Sequence, residues 1–320
     1  MRKVFKIFLI FIAGFFVLFF ILLIQPPKGT SADIRWGAAF SKNFANDLGL
    51  NWRETYLAIL DDLKVKYLRL PVYWPDIEPQ KNNYVFSDYD WMLKEAEKRN
   101  VKLVLVIGRK LPRWPECHEP EWIKSQDSRL KTQDLLKYIK VVVNRYKENP
   151  ALYVWQVENE PFLDFGECPK LDVEFLDKEI DLVRSLDSKH QILVTDSGEL
   201  GLWLKAAKRG DIFGTTIYRV VWSKYLGYIR YDLFLPPQFF WLKANLARLF
   251  YPGKPIIVSE LQAEPWKEEG MDLKQFSKNI EFAKKVGFPE VYLWGTEWWY
   301  WLKVKHQDPS FWEFAKKIFQ

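Results

Sequence analysis

The chain has 320 residues, 48% hydrophobic and 28% charged, with 47 Lys+Arg against 41 Asp+Glu for a net charge of +6. Those fractions exclude a disordered or low-complexity protein. The chain beyond its basic start is close to neutral and has no long basic run, so nucleic acid is not an expected partner.

Residues 7–24 read IFLIFIAGFFVLFFILLI, eighteen apolar residues preceded by Arg2, Lys3 and Lys6. The length is near the minimum for a membrane-spanning helix, and no small-x-small cleavage site follows. The reading is an uncleaved signal anchor over 1–27, a short linker over 28–33 and a barrel over 34–320. The basic flank puts the amino terminus in the cytoplasm and the rest outside it. A cleaved signal peptide is the alternative, and it too exports the domain.

Beyond the anchor, short apolar runs alternate with helical segments. Expected strands are 34–39, 66–70, 102–107, 152–157, 191–195, 211–216, 255–259 and 290–294. Expected helices are 54–64, 88–99 with Ser87 as N-cap, 133–147, 172–186, 199–208, 237–250, 272–285 and 309–319. Fully apolar strands joined by helices imply a parallel sheet covered by helices, and eight such units fit an α/β (β/α)₈ TIM barrel. A doubly wound open sheet is the alternative, weakened because no G-x-G-x-x-G or P-loop follows the first strand.

In such a barrel the chemistry lies where strands end at the C-terminal face. The fourth strand ends W-Q-V-E-N-E-P, Trp155 to Pro161, and the seventh ends P-I-I-V-S-E-L with Glu260. A carboxylate capping a buried strand is costly unless it is hydrogen-bonded or used. Glu160 and Glu260 are about three βα units apart, which places them on facing sides of the barrel mouth. Glycosidic cleavage needs one such carboxyl protonated and one ionised. Mutual repulsion raises the pKa of one of them.

Asn159-Glu160-Pro161 together with Glu260 resembles the clan A glycoside hydrolases, retaining (β/α)₈ enzymes that include cellulase, mannanase and β-galactosidase families. Leu68 to Pro79, followed by Tyr84 to Asp90, is similar to the clan's second βα unit. The resemblance implies Glu160 as general acid/base and Glu260 as nucleophile. It implies Asn159 on the sugar 2-hydroxyl and Arg69 under the nucleophile, holding it ionised. It further implies a hydrogen bond from Tyr218 to Glu260 and Trp294 stacked under the sugar. The chain departs from the clan pattern at two points: Ile107-Gly108-Arg109-Lys110 has no His after strand three, and Thr216 stands where some families carry another His.

Glu158 shares the parity of Glu160 and competes for the acid role, or else lies deeper as a buried supporting carboxylate. Trp36, Trp74, Trp114, Trp222, Trp298 and Trp299 lie near strand ends or loops, where each packs or offers a sugar platform. Glu297 is read as a solvated loop charge, with a reach to a substrate hydroxyl as the alternative. His190 and His306 are read as structural, and His118 alone lies in a loop on the catalytic side. No His or Cys cluster with metal spacing appears, so neither a metal site nor a cofactor is expected. Cys117 and Cys168 lie in the neighbouring loops after strands three and four. In an oxidising space they are expected to pair, with two free thiols as the alternative. Residues 219–250 are a long aromatic stretch that would form a lid, dock on a bilayer, or be an ordinary sixth helix with a long loop.

The function expected is retaining hydrolysis of O-glycosidic bonds in a β-linked carbohydrate, with no obligate protein partner. A transglycosylase using the same residues and a non-catalytic glycan-binding barrel are the alternatives.

Overall fold

The computed structural model describes residues 14, 17, 18, 20–30, 33–170, 172–267 and 270–320. Eight apolar runs pair as parallel strands and close on themselves in the order β1-β10-β9-β6-β5-β4-β3-β2. They are β1 Arg35–Ala39, β2 Tyr67–Pro71, β3 Lys102–Ile107, β4 Leu152–Val157, β5 Gln191–Asp196, β6 Ile212–Ile217, β9 Ile256–Gln262 and β10 Glu290–Trp294. This is the expected eight-stranded barrel. Two further strands, β7 Val220–Ser223 and β8 Gly227–Arg230, form an antiparallel hairpin.

Helices cover the outer face because each strand's outward side chains are apolar and must be buried. The main core lies in that layer and includes Trp74, Trp155, Trp203, Trp299 and Trp312, all fully buried. Inside the barrel a second cluster of Val104, Val154, Leu193, Ile212, Ile257 and Tyr292 fills the interior. Polar side chains on the same strands, Arg69, Gln156 and Glu260, are therefore held on a packed apolar floor.

Several boundaries move for identifiable reasons. The helix expected at 54–64 runs Trp52–Asp61, because the Asn51 side chain accepts from the amides of Arg53 and Glu54 and caps it two residues earlier. Ser87 is the first residue of helix Ser87–Lys98 rather than its cap. The helix expected at 133–147 spans Ser128–Tyr146, capped by Asp127. The helix expected from 199 begins only at Leu204. There the Asp196 carboxylate accepts from the amides of Ser197 at 2.9 Å and Trp203 at 3.1 Å and holds the intervening residues as a loop. Helices Lys42–Asp47, Trp74–Ile77 and Thr296–Lys305 were not anticipated.

Residues 219–250 resolve into the β7–β8 hairpin, a short 3₁₀ turn and helix Pro237–Phe250. The helix matches the expected bounds. The apolar segment 7–24 falls largely outside the described residues. Among the described residues no helix is long and apolar enough to cross a membrane.

Candidate active site

At the C-terminal end of the barrel, Arg69, Asn159, Glu160, Tyr218 and Glu260 are joined by hydrogen bonds, in part through Thr195. Arg69 projects from β2 and is fully buried. Its three nitrogens reach three partners: Nε donates to Gln156 Oε1 at 2.7 Å, Nη1 to Glu260 Oε1 at 2.6 Å and Nη2 to Asn159 Oδ1 at 2.8 Å. A planar guanidinium is suited to this because its donors point in fixed directions. The other oxygen of Glu260 accepts from the Tyr218 hydroxyl at 2.8 Å. Glu260 belongs to β9 itself, since the strand continues to Gln262 beyond its expected end at 259.

Glu160 stands on a different footing. Its Oε1 accepts from the Thr216 hydroxyl at 2.9 Å, and its amide donates to Thr195 Oγ1 at 2.9 Å. Among the described residues no cation contacts its carboxyl oxygens; the nearby Lys110 ammonium donates instead to its carbonyl oxygen at 3.0 Å. Burial pushes the Glu160 carboxyl well above the usual carboxylate range, and the charges of Glu260 and Glu116 push it further. Burial therefore favours the protonated form of one carboxyl, while the other lies against a guanidinium. Thr216 and Glu260 are register partners on β6 and β9, which brings the contacts of both carboxyls side by side.

The backbone after β4 is strained to achieve this. Glu158 and Glu160 have φ of 57° and 42°, a region that non-glycine residues rarely occupy. Glu158 holds the turn from below: its oxygens accept from the amides of Arg109 at 3.0 Å and Lys110 at 2.6 Å. It is fully buried beneath the turn. Gly108 is required beside it, because a Cβ there would come within 2.5 Å of Glu158 Oε1.

Trp294 ends β10, nearly buried, with the Arg113 guanidinium 4.0 Å from its ring centre. One ring face is thus occupied. Arg113 also pairs with Glu264 and, at 3.0 Å, with Glu297. Glu297 is therefore a buried ion-pair partner that also accepts from the Ser41 amide at 2.5 Å, and not the solvated loop charge expected.

Cys117 and Cys168 form a disulfide with Cα atoms 4.7 Å apart, joining the loops after β3 and β4. His118 packs on Tyr73 and shares a hydrogen bond with the Arg113 carbonyl, so it braces the loop. His190 pairs with Asp187 at 2.7 Å, and His306 packs on Trp301. Trp74 and Trp299 are core residues, whereas Trp114 is 67% exposed.

Sequence reasoning missed Gln156, Thr195, Lys110 and Glu116. Gln156 carried a signal, a polar residue of inward parity within an apolar strand. Glu116 carried none, since it lies in an irregular loop. Among the described residues no group of acidic, His or Cys side chains is arranged to hold a metal ion.

Residues 71–174 match Glycosyl hydrolase family 10. The chain is 27% identical over 119 residues to a probable mannan endo-1,4-beta-mannosidase A-1 of Aspergillus terreus, covering 34% of this chain and 30% of that protein. It is 25% identical over 193 residues to mannan endo-1,4-beta-mannosidase A of Podospora anserina, covering 53% of this chain and 49% of that one. The chain thus spans less than half the length of these curated relatives. Native xylanase 10B from Thermotoga maritima superposes with a TM-score of 0.57 at 18% identity, covering 82% of this chain and 83% of that one, a likeness of fold. The resemblance to clan A glycoside hydrolases that Asn159-Glu160-Pro161 and Glu260 carry is matched by these relatives, which support a glycosidase.

Proposed function

We propose that this chain is a retaining glycosidase acting on a β-linked glycan, with mannan-type chains as the leading substrate because the curated relatives bear that name. The observation that carries the proposal is the contrast between the two buried carboxyls: Glu160 kept protonated by burial, Glu260 bound by Arg69 and Tyr218. In the first step Glu260 attacks the anomeric carbon as the bond to the leaving oxygen breaks, and Glu160 gives that oxygen its proton. In the second, Glu160 takes a proton from water, the water oxygen bonds to the anomeric carbon, and Glu260 leaves.

Exposed aromatic rings favour a chain-like substrate. From Tyr218 the ring centres step to Trp266 at 5.2 Å, then Phe165 at 5.5 Å, then Trp114 at 6.1 Å. Apolar sugar faces pack well on such rings. We place the barrel outside the cytoplasm, anchored through residues 7–24; a disulfide beside the site suits an oxidising compartment. Membrane fractionation of the full chain against a chain lacking residues 1–27 tests the anchor.

The decisive assay is turnover of β-mannan, xylan and aryl β-glycosides by the full chain, with product anomers followed by NMR. Glu260→Ala should abolish turnover. Glu160→Ala should lose about 10²–10⁴-fold on substrates with poor leaving groups and far less on activated aryl glycosides. Inverted product, or turnover indifferent to Glu260→Ala, would defeat the reading.

A further inference from the structure

The described network leaves one carboxyl without a role. Glu116 is only 8% exposed, in the loop after β3. Its Oε2 accepts from Asn159 Nδ2 at 3.2 Å, and its Oε1 takes no hydrogen bond from any described residue. Asn159 is the side chain that the clan resemblance assigns to the sugar 2-hydroxyl. Its amide has a second hydrogen, so a hydroxyl approaching Nδ2 also approaches Glu116.

The loop is shaped around this side chain. Glu116 has φ of 68°, its amide donates to the Arg113 carbonyl at 2.7 Å, and its carbonyl accepts from the Leu111 amide at 2.9 Å. The next residue, Cys117, is tied by its disulfide to the loop that carries Asn159 and Glu160. That partner loop lies tight against Glu116 at Gly166, where a Cβ would come within 2.5 Å of the Glu116 Cβ. A turn fixed by two backbone hydrogen bonds, a covalent tie and a glycine contact is more than is needed to bury a surface acid.

Resting on the glycosidase reading, we infer that Glu116 is a third carboxyl of the substrate site, which binds the sugar 2-hydroxyl jointly with the Asn159 amide. Its surroundings agree. Burial, chiefly, and the Glu260 charge push its carboxyl up to about 8, against the opposing pull of Lys110, Asn159 and Arg69. Glu160, whose own carboxyl feels Glu116, faces it as well. At neutral pH Glu116 is thus an uncharged acid with one O–H to donate and one oxygen to accept, and it adds no negative charge where Glu260 must act. Once ionised, it would repel the Glu260 carboxylate and lose its donor.

The test couples the residue to the hydroxyl. Hydrolysis of an aryl β-mannoside and its 2-deoxy analogue is compared for the full chain and Glu116→Leu, with kcat/KM as readout. Glu116→Leu should lose about tenfold on the parent sugar, roughly one hydrogen bond's worth, and correspondingly less on the 2-deoxy analogue. Equal losses on both substrates would overturn the inference. If Glu116→Leu does not fold, Glu116→Ala takes its place in the same comparison, and equal losses on the two substrates would again overturn the inference. Thiol titration checks that Cys117–Cys168 is intact in each variant.

If the full chain hydrolyses no β-glycoside, the glycosidase reading fails by itself. Calorimetric titration with β-1,4-mannohexaose then decides for Glu116. Weaker binding by Glu116→Leu, or by Glu116→Ala where Leu does not fold, supports its contact with the sugar, while equal or absent binding refutes it.

Discussion

Arg69 Nη1 lies 2.6 Å from Glu260 Oε1, and both side chains are almost completely removed from water. A buried pair of this kind is asymmetric in its energetics. Forming it offsets two large desolvation costs, whereas removing one partner leaves the other charge stranded. Arg69→Met should therefore destabilise the fold by roughly 3–5 kcal/mol in denaturant unfolding and also remove turnover. The double variant Arg69→Met/Glu260→Gln should regain much of that stability and none of the activity. Additive losses in the double variant would mean that the two side chains are not energetically coupled.

Thr216 offers a finer probe. Its hydroxyl donates to Glu160 Oε1 at 2.9 Å, a bond that favours the ionised carboxyl and opposes the upward push of burial. Thr216→Val removes the donor at nearly constant volume. The Glu160 carboxyl should then hold its proton to higher pH, so the alkaline limb of kcat/KM should shift upward. A downward shift would contradict the assigned hydrogen-bond sense.

The barrel was legible because its signal is periodic and redundant: eight apolar runs separated by helices leave few architectures that bury both faces. Glu160 and Glu260 were legible because each interrupts or ends such a run with a charge. Arg69 and Gln156 follow the same rule within β2 and β4. Glu116 and Arg113 were not legible, since their positions depend on an irregular loop closed by Cys117–Cys168 and by contacts with Gly166 and Trp294. Glu297 was misread because the helix Thr296–Lys305 that buries it shows no clear apolar stripe in WGTEWWYW.

The aromatic path away from Tyr218 separates polymer from small substrates. Trp114 is well exposed and Trp266 about a third exposed, and Phe165 lies between them within ring contact of both. Trp114→Ala and Phe165→Ala should lower kcat/KM on a β-linked hexasaccharide by about tenfold each and leave aryl monoglycosides within twofold. Equal loss on both substrates would place these rings in the support of the loop instead.

Reducing Cys117–Cys168 loosens the same loops. The bridge spans 51 residues, so its loss should cost about 2–4 kcal/mol of stability. Because Glu116 and Asn159 sit on the two tethered loops, KM should rise before the barrel unfolds. Activity assays across a reductant series, read beside thermal unfolding, test that order; simultaneous loss of both would mean the disulfide acts on the whole fold.

The raised carboxyls also set how stability varies with pH. Burial pushes Glu116 to about 8 and Glu199 to about 7, whereas in the unfolded chain both titrate near 4.5. Between those values the folded protein holds protons that the unfolded chain has released, so stability must fall as pH rises. The Lys316, Lys303 and Trp312 contacts hold Asp62 well below the usual carboxylate range, and that contribution is lost only in strong acid. The thermal midpoint should therefore peak near pH 5 and decline to about pH 8. Glu199→Gln, which keeps an acceptor for the Tyr218 amide, should remove part of the decline, on the order of 2 kcal/mol between pH 5 and 8. A midpoint that instead rises across this range would show that Glu116 and Glu199 ionise in the folded barrel as freely as in water.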